Sequence, residues 1–230
     1  MIRLNNISKK FNLCEQDIFA LKDISMDIQK GSFTCILGPS GSGKSTLLSI
    51  IAGLMSPTTG TASIDNIDIT HLSKKQLAIF RREYIGFIFQ SFHLIPHLTV
   101  LENVMLPMIP LHVPVKTKIT RAEYLLKRFN ILQQAQKYPS QLSGGEQQRV
   151  AIVRALINNP PIILADEPTG NLDSSTGLIV MDVLKKINKE GKTIIMVTHN
   201  KDYLRYFDMI ITLKDGKKVS QTPSLVQSDL

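Results

Sequence analysis

The run Gly38-Pro39-Ser40-Gly41-Ser42-Gly43-Lys44-Ser45 fits the pattern G-x-x-x-x-G-K-[ST] and restricts the fold more than any other stretch of the chain. Its glycines let successive backbone N–H groups turn inward around phosphate oxygens. Lys44 adds a positive charge, and Ser45 adds a hydroxyl suited to a magnesium ion. Such a loop works between a strand and a helix, and both flanks read that way. Residues 32–37 are an apolar buried strand, and residues 45–52 a helix whose N-terminus faces the phosphates. A Gly/Ser-rich turn with a chance lysine would lack that context. Gly38, Pro39, Ser40, Gly41, Ser42, Gly43, Lys44, Ser45 and Thr46 are therefore expected to hold a nucleotide.

The rest of the chain supplies the frame. Strand-like segments fall at residues 2–7, 24–28 and 33–37, and a short antiparallel hairpin is expected around Asn66 after the break at Ser56-Pro57-Thr58-Thr59-Gly60. Ser73 caps a helix to Arg82, and Tyr84–Phe89 is a buried strand ending at Gln90. Pro96, Pro107, Pro110 and Pro114 then divide an apolar, irregular region. Helical periodicity returns at residues 120–129 and 146–158, followed by apolar strands at 162–165, 193–197 and 209–213. Strands alternating with helices imply a parallel sheet covered on both faces.

A second run, Leu142-Ser143-Gly144-Gly145-Glu146-Gln147-Gln148-Arg149, reads alone as a helix start, with Ser143 as N-cap and Glu146 reaching back. A capped N-terminus beside flexible glycines is also an anion site aimed by the helix dipole. With the phosphate loop it resembles the signature sequence of ATP-binding cassette (ABC) ATPases. The resemblance covers nearly the whole chain in the family's order. Ile162–Pro168 is similar to the Walker B strand, Asn171-Leu172-Asp173 to the D-loop, Phe89-Gln90 to the Q-loop and Thr198-His199 to the switch histidine. Residues 81–90, 98–104 and 168–173 resemble the macrolide-exporter and lipoprotein-releasing (MacB/LolD-like) group.

The resemblance implies a P-loop α/β fold with a mainly parallel sheet, a small antiparallel β subdomain and an α-helical subdomain. Residues 1–220 would form one ATPase domain, with the helical subdomain at about 91–158, and 221–230 a polar C-terminal tail. It also implies ATP and Mg²⁺ as ligands. Lys44 would bind the β- and γ-phosphates, Ser45, Gln90 and Asp166 would surround the ion, and Glu167 would be the general base. His199 would donate to the γ-phosphate, and Phe11 would stack on adenine, where the family often has Tyr. Ser143, Gly144, Gly145 and Glu146 would complete the nucleotide site of a second copy in an ATP-dependent homodimer, with Asp173 at the seam. The usual fifth signature residue is Gln, and Glu146 is a variant of it. An integral membrane permease would be the other partner, contacting Ser91–Pro114, which places the protein peripherally at the cytoplasmic face of the membrane.

Composition narrows the alternatives. The chain has 230 residues, 43% apolar and 20% charged, enough for a substantial core. Cys14 and Cys35 show no C-x-x-C spacing, and Cys35 reads as a small core residue. No stretch approaches the roughly 20 apolar residues that cross a bilayer. The net charge of +8 raises nucleic acid as a partner, but the basic pairs are scattered and lack interleaved aromatics, so none is expected. A soluble ABC-type ATPase acting on nucleic acid or ribosomes, or a non-transport regulator of a membrane protein, stays open as an alternative. Asn200-Lys201-Asp202-Tyr203 does not complete N-K-x-D, which argues against GTP as sole nucleotide.

Overall fold

The computed structural model describes residues 1–13 and 16–224, so Cys14 lies outside the described residues. Two sheets divide the chain. Strands β1 (Ile2–Leu13), β2 (Gln16–Ile28), β4 (Thr59–Ile64) and β5 (Ile67–Asp68) form an antiparallel sheet in the order β2-β1-β4-β5. The second sheet has the order β10-β9-β3-β8-β7-β6. Its members are β3 (Phe33–Leu37), β6 (Ile85–Ile88), β7 (Ile162–Asp166), β8 (Thr193–Thr198), β9 (Met209–Lys214) and β10 (Lys217–Pro223). Strands β6 to β9 and β3 pair in parallel, and only β10 is antiparallel, at the edge.

Strand alternation places one core on each face of this sheet. Phe33, Cys35, Ile163, Ala165, Ile194 and Met196 turn toward helices α3 (Val100–Met105), α4 (Val115–Arg128), α5 (Gly144–Leu156) and α6 (Ser174–Lys189). Ile36, Ile162, Leu164, Ile195, Val197 and Ile211 turn the other way, onto α1 (Lys44–Ile51) and the antiparallel sheet. Burial pushes the Cys35 thiol up to about 12, leaving an inert core residue.

Several elements match the sequence reading closely. The hairpin turns at Asp65 and Asn66, both with positive φ (46° and 66°). Helix α2 (Lys74–Tyr84) begins with a capping box between Ser73 and Gln76. Three differ. The proline-divided region holds α3, started by a second capping box between Thr99 and Glu102. Helix α6 was not anticipated. Gln221 to Pro223, expected in the polar tail, pair with Ile211 to Met209 instead, so strand β10 crosses the expected boundary at 221. Among the described residues no helix is long and apolar enough to cross a membrane.

Candidate nucleotide site

Parallel pairing puts the carboxyl ends of β3, β8 and β7 side by side, with Leu37 opposite Thr198 and Val197 opposite Asp166. Ligand crevices of open α/β sheets form at such ends. The loop leaving β3 turns through Gly41 and Gly43, whose φ values are 77° and 95°. A side chain at Gly43 would also place its Cβ 2.3 Å from the Ala20 carbonyl oxygen, so only glycine fits. Helix α1 then starts with no side chain bonded to its first amides.

The loop borders a cavity of about 230 Å³ lined by Ala20, Ser40, Gly41, Gly43, Lys44, Ser45, Thr46 and Glu167. The buried Lys44 ammonium donates to the Pro39 carbonyl at 2.7 Å, and the buried Ser42 hydroxyl has no hydrogen-bond partner among the described residues. The Ser45 hydroxyl donates to Asp166 Oδ1 at 3.0 Å. Burial raises the Asp166 carboxyl above the usual range, and the Ser45 hydrogen bond opposes that shift. A hydroxyl and a partly desolvated carboxylate beside a phosphate loop are hard oxygen donors, and they fit a magnesium ion.

Glu167 follows β7 with a left-handed backbone (φ 45°), held by its N–H donating to the Val197 carbonyl at 3.0 Å. Its Oε1 lies 3.2 Å from Nδ1 of the more exposed His199. These two residues, predicted from opposite ends of the Walker B and switch segments, therefore meet directly. A second cavity of about 180 Å³ joins Glu167 and His199 to Thr169, Gly170, Leu172 and Tyr203.

Other predicted residues lie elsewhere. The Gln90 amide rests against Gly170, where an added Cβ would come within 2.8 Å of Nε2, and the Gln90 carbonyl accepts from Asn171 Nδ2 at 3.1 Å. Phe11 is half-buried in the β1–β2 hairpin opposite Ile18, with the Lys9 ammonium 5.3 Å from its ring centroid. Ala20 of that hairpin reaches the phosphate loop, a contact with no local signal in the sequence.

The signature residues stand apart from the phosphate cavity. The Ser143 hydroxyl accepts from Glu146 N–H at 3.3 Å, while Ser143 N–H and hydroxyl donate to Glu146 Oε2 at 2.8 and 3.0 Å. The Ser143 N–H, then its hydroxyl, hold the Glu146 carboxyl below its usual range. Gly144 and Gly145 pack by Leu172 and Thr176, next to the D-loop. Asp173 caps α6, accepting from Ser175 hydroxyl at 2.5 Å and Thr176 hydroxyl at 2.6 Å, which lowers its carboxyl strongly. One chain thus gathers the phosphate loop, Asp166, Glu167 and His199, and leaves the signature helix end facing other neighbours.

The ABC transporter family pattern matches residues 21–170. A relative described as an uncharacterized ABC transporter ATP-binding protein, MJ0796 of Methanocaldococcus jannaschii, is 50% identical over 94% of each chain. A solved dimeric, post-hydrolysis state of that cassette bound to ADP and Pi aligns with a TM-score of 0.91 at 46% identity, covering 100% of both chains. The lipoprotein-releasing system ATP-binding protein LolD of Aquifex aeolicus is 44% identical over 96% of this chain and 97% of its own length. The macrolide export ATP-binding/permease protein MacB of Aggregatibacter actinomycetemcomitans is 45% identical over 96% of this chain, which spans 34% of MacB. With its phosphate loop and its signature helix on separate surfaces, this chain belongs to the ABC transporter family, as one of its ATP-binding cassettes.

Proposed function

We propose that the protein is the ATP-hydrolysing subunit that powers a separate integral membrane permease, working as a homodimer at the cytoplasmic face of the membrane. The observation that carries this is the meeting of Glu167 and His199 beside the Ser45–Asp166 pair, at the mouth of the phosphate loop. Lys44, with the loop N–H groups between Ser40 and Thr46, cradles the phosphates. Ser45, Asp166 and Gln90 would hold a Mg²⁺ ion, which would supply positive charge against the transferring phosphate. Phe11 offers its ring to the adenine.

Glu167 takes a proton from the water that attacks the γ-phosphorus, and His199, within hydrogen-bond reach, fixes the carboxylate and faces the phosphate. A positioned base of this kind contributes about 10²–10⁴-fold to turnover. Ser143, Gly144, Gly145 and Glu146 act on the nucleotide held by the partner copy, and Asp173 sits at the seam. The dimeric ADP-and-Pi state of MJ0796 supports this arrangement.

A groove of about 650 Å³ supplies the permease contact. Its walls are apolar at Phe87, Phe89, Leu106, Pro107 and Pro110 and basic at Arg81 and Arg82, so a short permease segment with an apolar face and an acidic flank suits it. Part of the expected Ser91–Pro114 surface lines this groove; α3 packs into the core through Val100 and Val104. The test is capture with tagged Glu167→Gln protein from solubilised membranes in Mg-ATP. A multi-spanning membrane protein is the expected catch; ribosomes or nucleic acid alone would overturn the reading.

A further inference from the structure

Arg154 lies in the last turn of α5, where a cation ordinarily complements the helix dipole from solvent. Here the side chain turns inward instead. One guanidinium nitrogen donates to the Phe92 carbonyl at 2.6 Å, and the other to the His93 carbonyl. Both acceptors belong to non-glycine residues with left-handed backbone (φ 59° and 48°), a conformation that persists only where the surroundings impose it. These residues stand two and three positions after Gln90. The His93 ring stacks on Phe89, and Phe89 on Phe87, with centroids 4.4 and 4.2 Å apart. From the other side Asn171 and Gly170 fix the Gln90 carbonyl and side chain. Arg154 also lines the groove described above.

We infer that Arg154 is a positioning residue whose guanidinium fork joins the loop carrying Gln90 to the helix carrying the signature, so that the two move as one body. This rests on the proposed roles of Gln90 and the signature end. The fork is what matters: lysine supplies the charge but cannot span two consecutive carbonyls in the same geometry.

The test uses full-length protein with Arg154→Lys and Arg154→Ala, each also in the Glu167→Gln background. Hydrogen exchange is expected to accelerate at least tenfold at residues 91–94 in both variants, with the amides of the phosphate loop unchanged. ATP affinity of the monomer is expected to hold within twofold, while the ATP concentration that drives dimerisation rises at least fivefold. Arg154→Lys exchanging like wild type and, in the Glu167→Gln background, dimerising like Glu167→Gln alone overturns the inference. So does a variant whose ATP affinity falls in step with its melting temperature, the mark of a merely structural role. If the Glu167→Gln reference itself fails to dimerise with ATP, the site reading falls, and the exchange measurement alone decides the fate of the clamp.

Discussion

Helices α1 and α5 both begin beside a glycine-containing segment, but their N-termini are built in opposite ways. Helix α1 starts at a left-handed glycine with no side chain on its first amides, so those donors are free for a ligand. Helix α5 starts at Ser143 with its capping box closed, and the Glu146 carboxylate takes up the Ser143 N–H and hydroxyl at that end. An open end can bind by itself. A closed, negatively charged end gains from an anion only when a nucleotide held elsewhere brings its charge and cation together, which suits a surface that acts on a partner's substrate.

The largest expected effect tests the open end. Glu167→Gln should reduce turnover about 10²–10⁴-fold while leaving ATP binding intact, measured by phosphate release against calorimetric titration. Undiminished turnover removes Glu167 as the base. Next, Gly43→Ala forces a Cβ against the Ala20 carbonyl and a side chain into a left-handed backbone, so ATP affinity should fall by roughly tenfold or more, since the backbone term alone is about 1–2 kcal/mol.

Two smaller effects test the closed end. Glu146→Gln keeps an acceptor for the cap but removes the charge. The ATP needed for dimerisation in the Glu167→Gln background should drop by about two- to fivefold, given the roughly 0.3–1 kcal/mol typical of a charge at a helix N-terminus. No change would mean that the carboxylate moves aside in the dimer. Acid titration of the melting temperature sharpens the same point. Glu146 and Asp173 both have carboxyls lowered on folding, so their stabilisation is present above the ordinary carboxylate range and fades as pH falls through their folded values. Ser143→Ala should weaken that acid-side dependence slightly, whereas Ser42→Ala, on the uncapped loop, should leave it unchanged.

The chemistry was more legible than the framework. The phosphate loop, Glu167, His199 and the Ser143 cap each stand in a short local string, while the meeting of Glu167 with His199, 32 positions apart, becomes visible only in the fold. Helix α6 is less legible because Gly177 and the β-branched Ile179 and Val180 lower helix propensity in its first turns, although its buried stripe at Val180, Met181, Leu184 and Ile187 has helical spacing. Strand β10 is polar and alternates weakly, since it is an edge whose register is set by β9 rather than by burial. The contacts of Arg154 join residues more than 60 positions apart, a distance at which a single sequence carries no signal.

The Ala20 carbonyl ties together three distant parts of the chain. Gly43 of the phosphate loop crowds it, Gly216 in the β9–β10 turn lies close enough that a Cβ there would fall 2.8 Å from it, and Lys22 N–H bonds the Gly216 carbonyl at 2.7 Å. The nucleotide loop is local in sequence, but its seat is not. The loop is synthesised long before residue 216, so the cradle gains this wall only after the β9–β10 turn has left the ribosome. ATP, which stabilises only a state able to bind it, would thus do little for a nascent chain until that turn is in place.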